Sequence, residues 1–259
     1  MSLPVSDLNK KADGLTTMEL GKVLPLTAEV KDDHLFIGGC DMVEIAKEFG
    51  TALYVFDQAD LEARMDEYVQ SFKKYYGDRA EVAYASKAFQ NKAIVQLANE
   101  HGICLDVSGG GELACALAAG FPVKRVVVHG NNKTPQELRE AIEAGVGCIV
   151  VDSRIELGRI SAIAQELGVT QDIYMRITPG VEADTHEFIR TGCEDSKFGF
   201  TMREDFAFKC VKDVLETPGV RLAGLHCHIG SQIFACIRSV KPSIVMIQFI
   251  KRIKRRIRL

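Results

Sequence analysis

The feature that most constrains this chain is a change of period that repeats. From Thr51 to Gly230, short β-rich apolar runs alternate with stretches of helical spacing. The strand-like runs are 51–57 (TALYVFD), 82–88 (VAYASKA), 104–109 (CLDVSG), 125–130 (RVVVHG), 148–153 (CIVVDS), 172–179 (DIYMRITP) and 221–230 (RLAGLHCHIG). Helical spacing covers 58–75, with Leu61, Met65, Tyr68, Val69 and Phe72 on one stripe, then 91–101, 111–119, a segment from Thr134, 155–167 and about 204–215. Thr134, Pro135 and Glu137 stand in the order of a capping box with proline in the first turn. Parallel strands need crossovers, and helices supply them, so the alternation predicts an α/β fold with a parallel sheet. Seven units favour a (β/α)8 TIM-type barrel over an open sheet. A whole barrel takes about 250 residues, so residues 51–234 are expected to hold seven of its eight units.

Apolar residues make up 47% of the 259, enough to build a large core and to exclude a disordered chain. No window of about 18 uncharged apolar residues predicts a membrane span, and MSLPVSDLNKKADG lacks the apolar centre of a signal peptide. Eight scattered cysteines without a C-x-x-C predict reduced thiols in a cytoplasmic protein. The net charge of −3 conceals an asymmetry: eight Lys/Arg and no acid follow Phe234, leaving 24 basic against 35 acidic residues before it. That acidic body excludes nucleic acid as a partner, and no membrane partner is expected.

Side chains alternate faces along a strand. Ala83, Ala85 and Lys87 therefore share one face of VAYASKA, small residues leading to one long amine. Asp106 opposes Leu105 and Val107; His129 ends its strand; Tyr174, Arg176 and Thr178 share a face, as do Gly224, His226 and His228. Polar groups thus gather at the C-terminal ends of at least five strands, where such barrels hold their active sites. A lysine desolvated among cations is a better nucleophile than an ordinary ammonium. Its natural use is a Schiff base with an aldehyde, and pyridoxal 5'-phosphate is the cofactor that fits. Asp106 would balance charge, His228 would lie on the ring, and the Gly230 backbone with the Ser231 hydroxyl would take the phosphate. Taken singly, each signal has a plainer reading. Lys87 alone is a strand-end surface lysine, SGGGEL is a tight turn into a helix, and SRIELGRI is an amphipathic helix with solvated charges. His226 and His228 share a face but lack further ligands at regular spacing, so no metal is expected.

The motifs YASKA, LDVSGGGEL, VVVHGNNK, RITPG, SKFG and GLHCHIGSQ occur in this order. Together, over about residues 20–234, the chain resembles the diaminopimelate decarboxylase family, pyridoxal-phosphate enzymes with an alanine-racemase-like barrel. The resemblance implies that Lys87 carries the cofactor, His228 stacks on its ring, and Gly230 and Ser231 contact phosphate. Asp106 and Arg176 would shape the polar network, His129 the rim, and Lys197 would join them. It implies decarboxylation of meso-2,6-diaminopimelate to L-lysine. The alternatives are a related decarboxylase of ornithine, arginine or carboxynorspermidine, or a non-enzymatic single-barrel cofactor-binding protein. It also implies a homodimer with shared active sites, which a chain without the family's C-terminal β-domain is not expected to form. After Phe234 the resemblance stops. Three segments are therefore expected: 1–50, whose strand HLFIGG (34–39) would pair within that β-domain; 51–234, a truncated barrel; and 235–259, a basic tail of non-native origin. Its apolar IVMIQFI followed by KRIKRRIRL also has the composition of an amphipathic anchor. The chain is expected to be inactive or nearly so.

Overall fold

Residues 3–4, 24–180, 198–230 and 237–257 are described by the computed structural model. They divide into two units, Met1–Val82 with Glu100–Ile103, and Ala83–Asn99 with Cys104–Leu259.

The first unit contains an antiparallel sheet of β1 (Leu3–Pro4), β2 (Glu29–Lys31), β3 (His34–Ile37) and β4 (Cys40–Asp41) in that order. Asp32 and Asp33 join β2 to β3, and Gly38 and Gly39 join β3 to β4, each pair at positive φ. Two-residue hairpins prefer that conformation because its twist matches the strands. HLFI of the HLFIGG stretch forms β3 and pairs with β2 and β4. Helix α1 (Met42–Phe49) starts where the Asp41 carboxylate accepts from Val43 N at 2.8 Å. Helix α2 (Gln58–Tyr76) starts under the Asp57 carboxylate, which accepts from Ala59 N and Asp60 N.

Residues 51–57 correct the sequence reading. TALYVFD forms no strand; Tyr54 is 94% exposed, and Leu53, Val55 and Phe56 are exposed with it. Propensity makes a segment able to pair, but a strand needs a ladder, and 51–57 is in no strand of either sheet among the described residues. The α2 stripe is likewise less buried than its spacing predicts: Met65 is in the core, while Tyr68 and Phe72 are exposed.

The second unit is built on a parallel sheet in the order β5 (Ala83–Ala85), β6 (Cys104–Val107), β7 (Val126–Val128), β8 (Cys148–Val151), β9 (Gln171–Thr178) and β11 (Val220–His226). The short β10 (Phe200–Thr201) pairs with the last two residues of β9. Helices α3 (Lys92–Glu100), α4 (Gly110–Ala118), α5 (Pro135–Ala144), α6 (Arg154–Glu166) and α7 (Phe206–Glu216) intervene along the chain. Six of the seven expected strands are therefore present, and the sheet does not close among the described residues. Every residue of β8 is buried, as happens when helices cover one face of a sheet and the interior of a barrel the other. Leu105, Val126, Ile149, Ile173 and Met175 make the core with Val95, Leu138 and Ile160 of the helices. The expected capping box forms: Thr134 accepts from Glu137 N, and Glu137 accepts from Thr134 N at 2.8 Å.

The basic tail is helical. Helix α8 (Ile237–Ile257) buries Met246, Phe249 and Ile253. Among the described residues no helix is long and apolar enough to cross a membrane.

Candidate active site

The strand ends are fastened by a device used three times. A glutamate in the first turn of the following helix accepts from an amide at or just before that helix. Glu112 takes Ser108 N at 2.6 Å, Glu137 takes Thr134 N at 2.8 Å, and Glu156 takes Asp152 N at 2.7 Å. Each carboxylate also sits at the positive end of a helix. The loops that follow β6, β7 and β8 are held in this way.

On these ends lie the candidate residues. Asp106 is the third residue of β6, in register with Ala85 of β5. Lys87 follows β5 in the 3₁₀ turn Ser86–Ala88. His129 follows β7 and donates its amide to Val107 O at 2.7 Å. Arg176 of β9 stands in register with His226, the last residue of β11, and His228 and Gly230 come just after. His129 Nε2 is 3.7 Å from Asp106 Oδ1. The His129 and His226 rings meet edge-to-face with centroids 4.7 Å apart. Arg176 donates through Nη1 to Asp152 Oδ1 at 2.8 Å and holds its guanidinium 4.5 Å from the Phe198 ring centre.

Burial and mutual charge set the protonation states. Burial pushes the Asp106 carboxyl up to about 6, against the pull of Lys87. Burial first, then the cations Lys133 and Arg176, lower His129 to about 3. Burial, then His129 and Arg176, lower His226 to about 2. Burial, then Lys87 and Arg176, lower His228 to about 4. Lys87 acts on Asp106, His129 and His228 alike, so these groups share one electrostatic field. At neutral pH it contains neutral imidazoles between fixed cations.

Lys87 itself departs from expectation, because it is exposed rather than desolvated. Strand β5 ends at Ala85 and is the edge of the sheet, with a strand on one side alone among the described residues. Ser231 and Lys197 lie outside the described residues, and among the described residues no cluster of three or more metal-type ligands occurs.

Beneath the mouth is a buried ion pair that sequence reading missed. Lys133 Nζ lies 2.9 Å from Glu156 Oε1, with side chains 3% and 6% exposed. The same ammonium donates to Gly130 O at 2.5 Å and Val150 O at 2.8 Å, tying the loop after β7 to the end of β8. Beside it runs the Asp152–Arg176 pair. SRIELGRI was expected to carry solvated charges; Glu156 is the exception, because α6 turns that position onto the sheet. The available signals were the lysine of GNNK before a helix cap and an aspartate ending CIVVD as another nearly ends CLDV.

The site leaves polar groups for a ligand. Asp106 Oδ1, Ser86 Oγ and His226 Nδ1 are buried without a hydrogen-bond partner. Buried polar atoms in folded proteins are nearly always satisfied, so Asp106 Oδ1 and His226 Nδ1, which both adjoin His129, are groups that a ligand could engage.

Comparison with known proteins agrees. The family model of the pyridoxal-dependent decarboxylase, pyridoxal binding domain, matches residues 58–254, running into the basic segment. Diaminopimelate decarboxylase from Bacillus subtilis is 50% identical over 201 residues, which are 78% of this chain and 46% of that protein. The Mycobacterium bovis enzyme of the same name is 49% identical over 198 residues, 76% of this chain and 43% of that protein. The crystal structure of diaminopimelate decarboxylase from M. jannaschii superposes with a TM-score of 0.82 at 38% identity, covering 88% of this chain and 54% of that one. The same protein in complex with L-lysine gives 0.81 at 37% identity, covering 89% of this chain and 54% of that one. The chain spans about half the length of the curated relatives it matches. With its strand order, its strand-end residues and this likeness in agreement, the chain belongs to the pyridoxal-dependent decarboxylases, through their pyridoxal-binding domain.

Proposed function

We propose that this chain is the cofactor-binding part of a decarboxylase that converts meso-2,6-diaminopimelate to L-lysine. The observation that carries the reading is the convergence of Lys87, Asp106, His129 and His228 in one field at the ends of parallel strands, in a chain half identical to diaminopimelate decarboxylases. When bound, pyridoxal phosphate supplies a conjugated sink for the electron pair left as a carboxylate departs as carbon dioxide. The chain's own residues hold and orient. Lys87 would hold the cofactor's aldehyde through its amine. His228 would lie against the ring, and the Gly230 backbone with the Ser231 hydroxyl would hold the phosphate. Asp106, titrating near 6, trades a proton with its surroundings close to neutral pH. His129 is uncharged there and lines the rim without repelling Lys87. Arg176, held by Asp152, would shape the polar network beside the cofactor. A reducing, cytoplasmic setting is part of the reading, supported by six free cysteines among the described residues.

The test is covalent capture. The chain is mixed with pyridoxal phosphate, reduced with borohydride and digested, and the modified peptide is identified by mass spectrometry. Modification at Lys87, lost in Lys87→Ala, is the expected result; label spread over surface lysines and unchanged in the variant would overturn the assignment. A change in the absorbance of the bound cofactor with meso-diaminopimelate and not with L-ornithine identifies the substrate without requiring turnover.

A further inference from the structure

Helix α8 has two opposed faces, and the fold uses one of them. Pro242, Met246, Phe249 and Ile253, spaced by four, three and four, are buried. Arg252 and Arg256 fasten that side by pairing with Asp205 and lying over the Phe208 ring, at 5.3 and 5.4 Å. At 3.6 residues per turn, Val240, Ile244, Ile247, Lys251, Lys254 and Arg255 fall on the opposite side within an arc of about 100°. Val240, Ile244 and Ile247 are 48%, 49% and 47% exposed, and the three cations beyond them are exposed. The outer face is therefore apolar over its first half and cationic over its second. Lys251 and Arg255, with Gln248, Arg252 and Arg256, also line an open groove of about 340 Å³.

We propose that this outer face docks on an anionic phospholipid surface, with α8 lying along the bilayer plane. Charge complementarity commits the face to that partner. Eight Lys/Arg and no acid follow Phe234, while the first 234 residues carry 24 basic against 35 acidic. An anionic surface repels that body and attracts α8, so it selects the orientation that brings α8 down first. The isoleucines supply what charge alone does not, an apolar strip able to enter the headgroup boundary. A polyanion such as nucleic acid would meet the cations and leave Val240, Ile244 and Ile247 in water. The helix is too polar to span a bilayer, so it lies on the surface. This reverses the expectation that no membrane partner exists. It is independent of the cofactor assignment, since none of these residues belongs to the site.

The whole chain is sedimented with phosphatidylcholine vesicles, with and without phosphatidylserine. Binding is expected to the anionic vesicles alone and to weaken as salt rises. Each basic residue near such a surface contributes about fivefold in partition, so Lys251→Glu, Lys254→Glu and Arg255→Glu together should lower binding by about 100-fold or more. Ile244→Ser with Ile247→Ser, which leaves the charge unchanged, should lower it by about 10-fold or more, while the chain stays folded by circular dichroism because both side chains are about half exposed. Equal binding to neutral vesicles would overturn the proposal. So would a lack of binding at physiological ionic strength, or anionic binding indifferent to the two isoleucines, which would mean adsorption by charge only. Preference for an RNA homopolymer over the vesicles, or self-association through α8, would overturn it too.

Discussion

At the scale of single residues, the site depends on charges taken out of water. Lys133 and Glu156 are buried together, and burial raises the Glu156 carboxyl while Lys133 holds it down. Breaking such a pair by removing one partner costs about 3–5 kcal/mol, because the other charge stays buried. Lys133→Met should lower stability by that amount in urea titrations, and adding Glu156→Leu should restore most of it. The histidines give a second prediction. His129, His226 and His228 fold with values near 3, 2 and 4 against 6.5 in the open chain. Folded values are depressed, so the unfolded chain binds protons that the folded chain refuses. The stability they contribute is complete above about 6.5 and lost as pH falls. Asp106, raised from 3.8 to about 6, works in the opposite sense: its contribution is full at low pH and is lost as pH climbs between those values. Three imidazoles outweigh one carboxyl, so unfolding near pH 5 takes up about two protons. The urea midpoint should drop between pH 7 and pH 5, and His226→Phe should remove about one proton from the slope. A midpoint that rises on acidification would refute the arrangement.

At the scale of elements, local chemistry and close packing act separately. The Thr134 cap is local: four residues hold its geometry, and Thr134→Ala should cost about 1 kcal/mol, measured by thermal melting. Gly147 belongs to packing. A Cβ there would lie 2.0 Å from Lys124 O, inside the backbone that enters β7. That carbonyl cannot swing away as a side-chain tip could, so Gly147→Ala should destabilise by several kcal/mol, in the exceptional range above about 4. The two positions differ in how far sequence can see. Thr134, Pro135 and Glu137 state their own structure in four letters. Gly147 sits in AGVGC with nothing to mark that Lys124 O comes so near. The same limit explains 51–57. TALYVFD is rich in strand-forming residues, yet it joins neither sheet among the described residues, because propensity alone makes no ladder.

At the scale of the whole molecule, ligand and tail are the levers. A ligand that binds only the folded form stabilises it by about 2.7 kcal/mol at a concentration 100 times its dissociation constant. Pyridoxal phosphate should therefore raise the melting temperature of the chain and not that of Lys87→Ala. Helix α8 rests on Phe249, which is 3% exposed. Phe249→Ala should cost about 3–5 kcal/mol, read as faster cleavage within α8 by limited proteolysis.

The sequence by itself determined the order of strands and helices, the caps, the motifs and the residue types at the strand ends. Each of these is written in local spacing or in a signature read one residue at a time. Burial was decided in three dimensions. Position alone turned Glu156 from a surface charge into the partner of Lys133, left Lys87 exposed at a sheet edge, and decided which side of the basic tail helix packs and which faces solvent. Desolvation depends on what packs over a group, and its neighbours come from distant parts of the chain.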